Sequence, residues 1–191
     1  MPYRILDDGI YHVYNRWFEK MRLFECDRDY VRFLERLEYL LDPGVKTSST
    51  PGSLPVKPRD LNLHAFCILP NHFHLILSGD VSQFPSFLGS LQNSYAKYFN
   101  IKNERRGQVF EGRYNAKLIK DQEYLESCFS YVCYNAIKHE LVTDIRDWPW
   151  TSYHQILNPG VVAVWTPGFS LPKVAHLADI ALSDYVDIDE E

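Results

Sequence analysis

Two imidazoles one residue apart, His72 and His74, are the side chains of this sequence best placed to do chemistry. They sit in Cys67-Ile68-Leu69-Pro70-Asn71-His72-Phe73-His74-Leu75-Ile76-Leu77, an apolar, β-prone run that reads as a buried strand. Side chains alternate along a strand, so both rings leave one face while Phe73, Leu75 and Leu77 leave the other. Rings held on such a platform can bind a metal ion or stabilise a charged intermediate. The plainer alternative is that the pair is part of the packing.

A second pair lies on a helix that Asp121 caps and that runs to about His139. Advancing 100° per residue gathers Leu125, Phe129, Val132 and Ala136 into one apolar face. Tyr131 and Asn135, four apart and therefore neighbours, lie on its shoulder, and Tyr134 points away. If one tyrosine of this helix meets a site on the sheet, it is Tyr131; the alternative is ordinary packing. A tyrosine hydroxyl can attack a phosphodiester and form a covalent intermediate, which conserves the bond energy for rejoining. Such attack also needs a Lewis acid to neutralise charge on the phosphate oxygens. Two imidazoles and an amide oxygen would leave positions on a six-coordinate ion open for those oxygens. Magnesium or manganese is the expected ion, and histidine ligands tilt toward manganese. No carboxylate pair at helpful spacing supports an all-oxygen two-metal site.

The elements that must position these residues follow from patterning. Residues 9–16 alternate as a first strand, with His12, Tyr14 and Arg16 on one face. Asp27 is the expected cap of a helix from about Arg28 to Leu41, with Phe33, Leu34, Leu37, Tyr39 and Leu41 as its apolar side. Residues 45–60 are polar and proline-rich and read as a flexible loop inside the domain. Strands over 61–69 and 72–78 flank Pro70-Asn71. Ser82 is expected to cap a helix from about Phe84 to Phe99, a basic turn covers 103–107, and Arg113 to Ile119 is a fourth strand. This order suggests an α+β, ferredoxin-like antiparallel sheet. The helices would pack on one face, with the Tyr131 helix near the C-terminal side, and an irregular C-terminal extension begins at Trp148. Residues 1–158 are read as one domain and 159–191 as an extension with an acidic tail.

With 191 residues, 46% of them hydrophobic, the chain can bury a sizeable core. No run is long and apolar enough to span a membrane, and the start lacks a signal-peptide layout. Four cysteines without paired spacing fit a reducing cytoplasm. The net charge of −5 argues at first against a nucleic-acid partner, but residues 176–191 hold six acids and no Lys or Arg. Residues 1–175 therefore carry +1. Between Asn93 and Lys120 stand seven cations, Lys97, Lys102, Arg105, Arg106, Arg113, Lys117 and Lys120, against two acids. Local charge sets the field a phosphate backbone feels. The alternative is a solvated face.

Leu69-Pro70-Asn71-His72-Phe73-His74-Leu75 resembles the HUH motif (His, bulky apolar, His) of single-tyrosine transposases. Tyr131-Val132-Cys133-Tyr134-Asn135-Ala136 is similar to the family's nucleophile segment, in which the tyrosine precedes a metal-binding amide residue by four positions. Residues 11–16 fit its first strand. Phe110-Glu111-Gly112-Arg113-Tyr114 and Trp148-Pro149-Trp150-Thr151-Ser152-Tyr153 are similar to motifs of its REP-associated tyrosine transposase branch. The likeness runs in order over roughly residues 9–155. Ala136 stands where relatives often carry proline.

The resemblance implies that His72, His74 and Asn135 hold a divalent ion. It implies that Tyr131 attacks single-stranded DNA to give a 5′-phosphotyrosine link and a free 3′-hydroxyl, with rejoining as the reverse. The partner would be hairpin DNA from short palindromic repeats, held by the cations from Lys97 to Lys120. Trp148, Trp150 and Tyr153 either stack on unpaired bases or pack on the domain. A replication-type nickase and a non-catalytic hairpin-binding regulator are the competing readings. The acting species would be a monomer or a homodimer.

Overall fold

The computed structural model describes residues 8–18, 22–42, 59–153 and 155, together with the backbone of 164–166 and 169–170. Residues 45–58 of the loop expected over 45–60, and the acidic tail, lie outside the described residues. Four strands, β1 (Ile10–Arg16), β2 (Leu61–Leu69), β3 (His72–Gly79) and β4 (Asn115–Ile119), form one antiparallel sheet in the order β2-β3-β1-β4. Three helices pack on it: α1 (Asp27–Leu41), α2 (Phe84–Lys102) and α3 (Gln122–Lys138). The α+β class and the ferredoxin-like strand order are as expected.

The helices are not all on one face. Phe73, Leu75 and Leu77 of β3, with Phe66 and Ile68 of β2, pack under α1 and α2. Their helical partners recur every three to four residues: Tyr30, Phe33, Leu34 and Leu37 on α1, and Phe84, Phe87, Leu88, Leu91 and Tyr95 on α2. The opposite face carries Ala65, Cys67, Leu69 and Ile76, and α3 covers it with Leu125, Phe129, Tyr131 and Val132. The cause lies in β2 and β3, which are apolar on both faces and need cover on both. Burying a ring such as Phe73 contributes about 2 kcal/mol.

Local signals were displaced by a residue or two. The N-cap of α1 is Cys26, not Asp27, because Asp29 reaches back to the Cys26 amide in a capping box. Leu40, rather than Leu41, completes its buried side. Asp80, not Ser82, accepts the capping hydrogen bond before α2, and Ser82 lies in the 3₁₀ turn that follows. Asp121 caps α3 as expected, accepting from the Tyr124 amide.

The C-terminal motif is more regular than its sequence suggests. Ile68 N–H donates to the Trp150 carbonyl at 2.8 Å, Ser152 N–H donates to the Phe66 carbonyl at 2.9 Å, and Thr151 bridges to Cys67. The segment therefore continues the sheet beyond β2. Trp150 stacks on Tyr30 with ring centroids 4.7 Å apart, and the Trp148 indole N–H donates to the Ile68 carbonyl. Packing is thus the role of both tryptophans. Further on, β5 (Val164–Thr166) and β6 (Phe169–Ser170) form a short antiparallel pair within the extension expected to be irregular.

Candidate active site

Pro70-Asn71 turns β2 into β3 and is clamped from outside. The Pro70 carbonyl accepts from the amides of Leu23 and Phe24, and the Asn71 carbonyl accepts from Trp17 N–H at 2.8 Å. His72 and His74 therefore start from backbone pinned both by the ladder and by this clamp. Their rings meet edge to face with centroids 5.0 Å apart. Antiparallel register sets Tyr14 opposite His74 and Arg16 opposite His72. His12 reaches diagonally to place Nε2 3.0 Å from His74 Nδ1. His12 is thus part of the cluster, although the sequence indicated only which face it shares.

From the other side, α3 lays Tyr131 edge-on against His74, with centroids 5.5 Å apart, and against His12 at 5.8 Å. Asn135, one turn on, is completely buried beside His72. Neither of its amide atoms reaches hydrogen-bond geometry with a described residue. Two further residues at the end of α3 flank the cluster: Lys138, whose ammonium lies 4.7 Å from the Tyr131 ring centre, and His139, whose ring meets His72 at 4.7 Å. These two carried no motif of their own; only the helix phase, about two turns past Tyr131, could have flagged them.

Burial makes the imidazoles neutral. Desolvation, reinforced by His139, lowers His72 to about 4, and the nearby Asn135 amide offsets this only in part. Desolvation and the Lys117 ammonium lower His12 to about 3. His74 is held well below 6.5 by desolvation, then by His72 and His12. At neutral pH these rings keep a lone pair, the form a metal ion takes.

Among the described residues no three His, Cys, Asp or Glu side chains gather to hold a metal. The available donor set is therefore two imidazoles and one amide. It fits a divalent cation on one physical ground: a buried amide without a partner is costly, and a cation beside its oxygen removes part of that cost.

The seven cations do not form one surface. Lys97, Arg105 and Arg106 line a shallow groove of about 630 Å³ at the end of α2, next to the exposed Ile101. Arg105 is partly committed there, lying over the Trp17 ring and donating to the Gln108 carbonyl. Lys102 turns away to pair with Asp29 and Glu25. Lys117 lies on β4 opposite His12 and over the Tyr124 ring, and Arg113 and Lys120 are exposed at either end of β4. All four cysteines are free thiols, and among the described residues no helix is long and apolar enough to cross a membrane.

No family model matches the chain. Over 102 residues it is 28% identical to a Haemophilus influenzae protein described as a REP-associated tyrosine transposase, covering 48% of this chain and 58% of that one. Over 111 residues it is 22% identical to a REP-associated tyrosine transposase of Escherichia coli K12, covering 56% of this chain and 64% of the relative. The matched region thus spans less than two-thirds of either relative. The fold is similar to a solved REP-associated tyrosine transposase bound to a REP hairpin, with a TM-score of 0.64. The two chains are 15% identical, and the likeness covers 98% of this chain and 99% of the other. These matches bear out the resemblance to the REP-associated branch.

Proposed function

We propose that this chain, similar in fold and matched sequence to the REP-associated tyrosine transposases, is a metal-dependent single-strand DNA endonuclease and transferase. It nicks and rejoins DNA at hairpin-forming repeats. The observation that supports this reading best is the docking of α3 on the imidazole face, which gathers Tyr131, Asn135, His72 and His74.

His72, His74 and Asn135 would hold the cation, magnesium or manganese, and when bound it supplies Lewis-acid polarisation of the scissile phosphate. Tyr131 Oη forms a bond to phosphorus as the P–O3′ bond breaks. The phenol loses its proton, and the departing oxygen gains one to become a free 3′-hydroxyl. Rejoining is the reverse, with a 3′-hydroxyl expelling the phenol from the 5′-phosphate. Lys138 brings a positive charge over the ring toward the incoming phosphate. Tyr131 is only 1% exposed, so DNA meets its hydroxyl only after α3 or the groups around it shift. Lys97 and Arg106, on the exposed groove, are the cations best placed to hold the hairpin backbone. Free thiols suit action in the cytoplasm, as a monomer or homodimer.

The test is a labelled hairpin with single-stranded flanks, incubated with the protein and manganese and run on a denaturing gel. A covalent adduct that disappears in Tyr131→Phe is the expected result. Adduct persisting in that variant would move the nucleophile elsewhere. Retention of the hairpin with no adduct in the wild type would make this a binding protein on the same scaffold.

A further inference from the structure

Both imidazoles proposed to hold the cation have their Nδ1 engaged, each by a different part of the fold. His72 Nδ1 lies within hydrogen-bond distance of Asn71 Oδ1, in the turn that leads into β3. An amide oxygen only accepts, so in this pair His72 Nδ1 carries the proton. A neutral imidazole has one N–H, which leaves Nε2 with its lone pair. His74 Nδ1 lies 3.0 Å from His12 Nε2, with ring centroids 5.2 Å apart and ring planes 21° from parallel, a separation that fits the rings meeting through these two nitrogens. One proton is shared between these nitrogens. If His74 donates it, His74 Nε2 is also left with its lone pair.

His12 has no motif of its own. It is buried between the rings of Tyr14, His74 and Tyr131. A polar ring in that setting is costly unless it is hydrogen-bonded, and His74 is the partner it reaches. We propose that Asn71 and His12 are positioning residues that set the tautomers of His72 and His74. Each accepts a hydrogen bond from the Nδ1–H of its partner and so keeps the proton on Nδ1, leaving both Nε2 atoms to present lone pairs to a divalent cation. This rests on the metal centre proposed above and adds what aims its ligands. Outer partners of this kind hold ring orientation and raise ligand basicity, and their removal weakens metal affinity about 10- to 100-fold.

The experiment uses the full chain labelled with ¹⁵N and stripped of metal. Long-range ¹H–¹⁵N correlation at pH 7 reads the two tautomers directly in the wild type, with no variant needed. Nδ1–H on both His72 and His74 is expected; Nε2–H on either overturns the inference. Manganese titration then compares the wild type with Asn71→Ala, His12→Phe and Asn71→Asp, each checked for folding by its thermal melt. The first two should bind at least tenfold more weakly. Asn71→Asp, which keeps an acceptor, should retain most of the affinity. Equal affinity throughout overturns the inference while leaving the metal centre standing. A wild type that binds no manganese ends the metal centre itself and the inference with it.

Discussion

Asp29, on the α1–α2 side of the sheet, and Asn135, on the α3 side, are both completely buried, and their surroundings treat them in opposite ways. The Asp29 carboxylate accepts from the amides of Glu25 and Cys26, from the Tyr98 hydroxyl at 2.8 Å and from the Lys102 ammonium at 2.7 Å. It ties the start of α1 to the end of α2. The Asn135 amide lies beside His72 and favours its protonated form, yet makes no hydrogen bond of good geometry to a described residue, at a cost of about 1–3 kcal/mol for a group left so. A buried polar group with every lone pair answered is architecture. One left unanswered beside two neutral imidazoles marks a place kept for something else, and the two sides should respond differently when perturbed.

The sharpest contrast is expected in activity. His72→Ala should lower adduct yield on a denaturing gel roughly 100-fold or more, while hairpin binding and the thermal melt change little. Equal loss of binding and adduct would remove His72 from the chemistry. Asp29→Ala should do the reverse. Urea unfolding should show a loss of about 3 kcal/mol, because the Lys102 ammonium, the Tyr98 hydroxyl and two amides lose their acceptor together. Adduct yield per folded molecule should hold; a fall would couple the two sides.

Acid should attack the imidazole side first. The pKa values of His12, His72 and His74 are lowered on folding, so below pH 6.5 the unfolded chain takes up protons that the folded chain refuses. In the metal-free protein, stability should therefore fall as pH drops from 6.5 toward about 4, by about 1.4 kcal/mol per pH unit for each such ring. The slope should shrink in His72→Phe. Burial alone would raise Asp29, but its hydrogen bonds from Lys102, Glu25 and Tyr98 hold the carboxyl below its ordinary value of 3.8. Its contribution persists above that value and is lost only as pH falls through the lowered one. Unfolding midpoints measured from pH 7 to 3 would show the two stages in that order; a single step near pH 3 would contradict it. The smallest effect concerns Asn135 itself. Asn135→Leu should gain about 1 kcal/mol in urea while abolishing manganese binding. A loss of stability would mean that the amide has a structural partner after all.

Much of this contrast could be read in the chain, residue by residue. His72 and His74 were placed on one face, and Phe73, Leu75 and Leu77 on the other, by alternation alone. Tyr131 and Asn135 were paired by helix phase. What alternation does not carry is which helix covers which face, so the expectation of helices on one face had to be replaced. His12 was on the right strand and the right face, but its approach to His74 spans 62 positions of sequence and depends on the pairing of β1 with β3. Lys102 counted as one more cation near a basic turn until the fold turned it onto Asp29. Trp150, read as either a stacking platform or a packed ring, is committed by Tyr30 to packing.

The sequence by itself determined the periodicities. A strand alternates every two residues and a helix returns every three to four, because both follow from the covalent backbone, so faces are local properties. Only the tertiary structure decided the meetings: α3 against the imidazoles, His12 against His74, Lys102 against Asp29. Those depend on register and docking between distant segments, where a slip of one residue exchanges one face for the other, and the energy that forbids the slip is shared across the whole core.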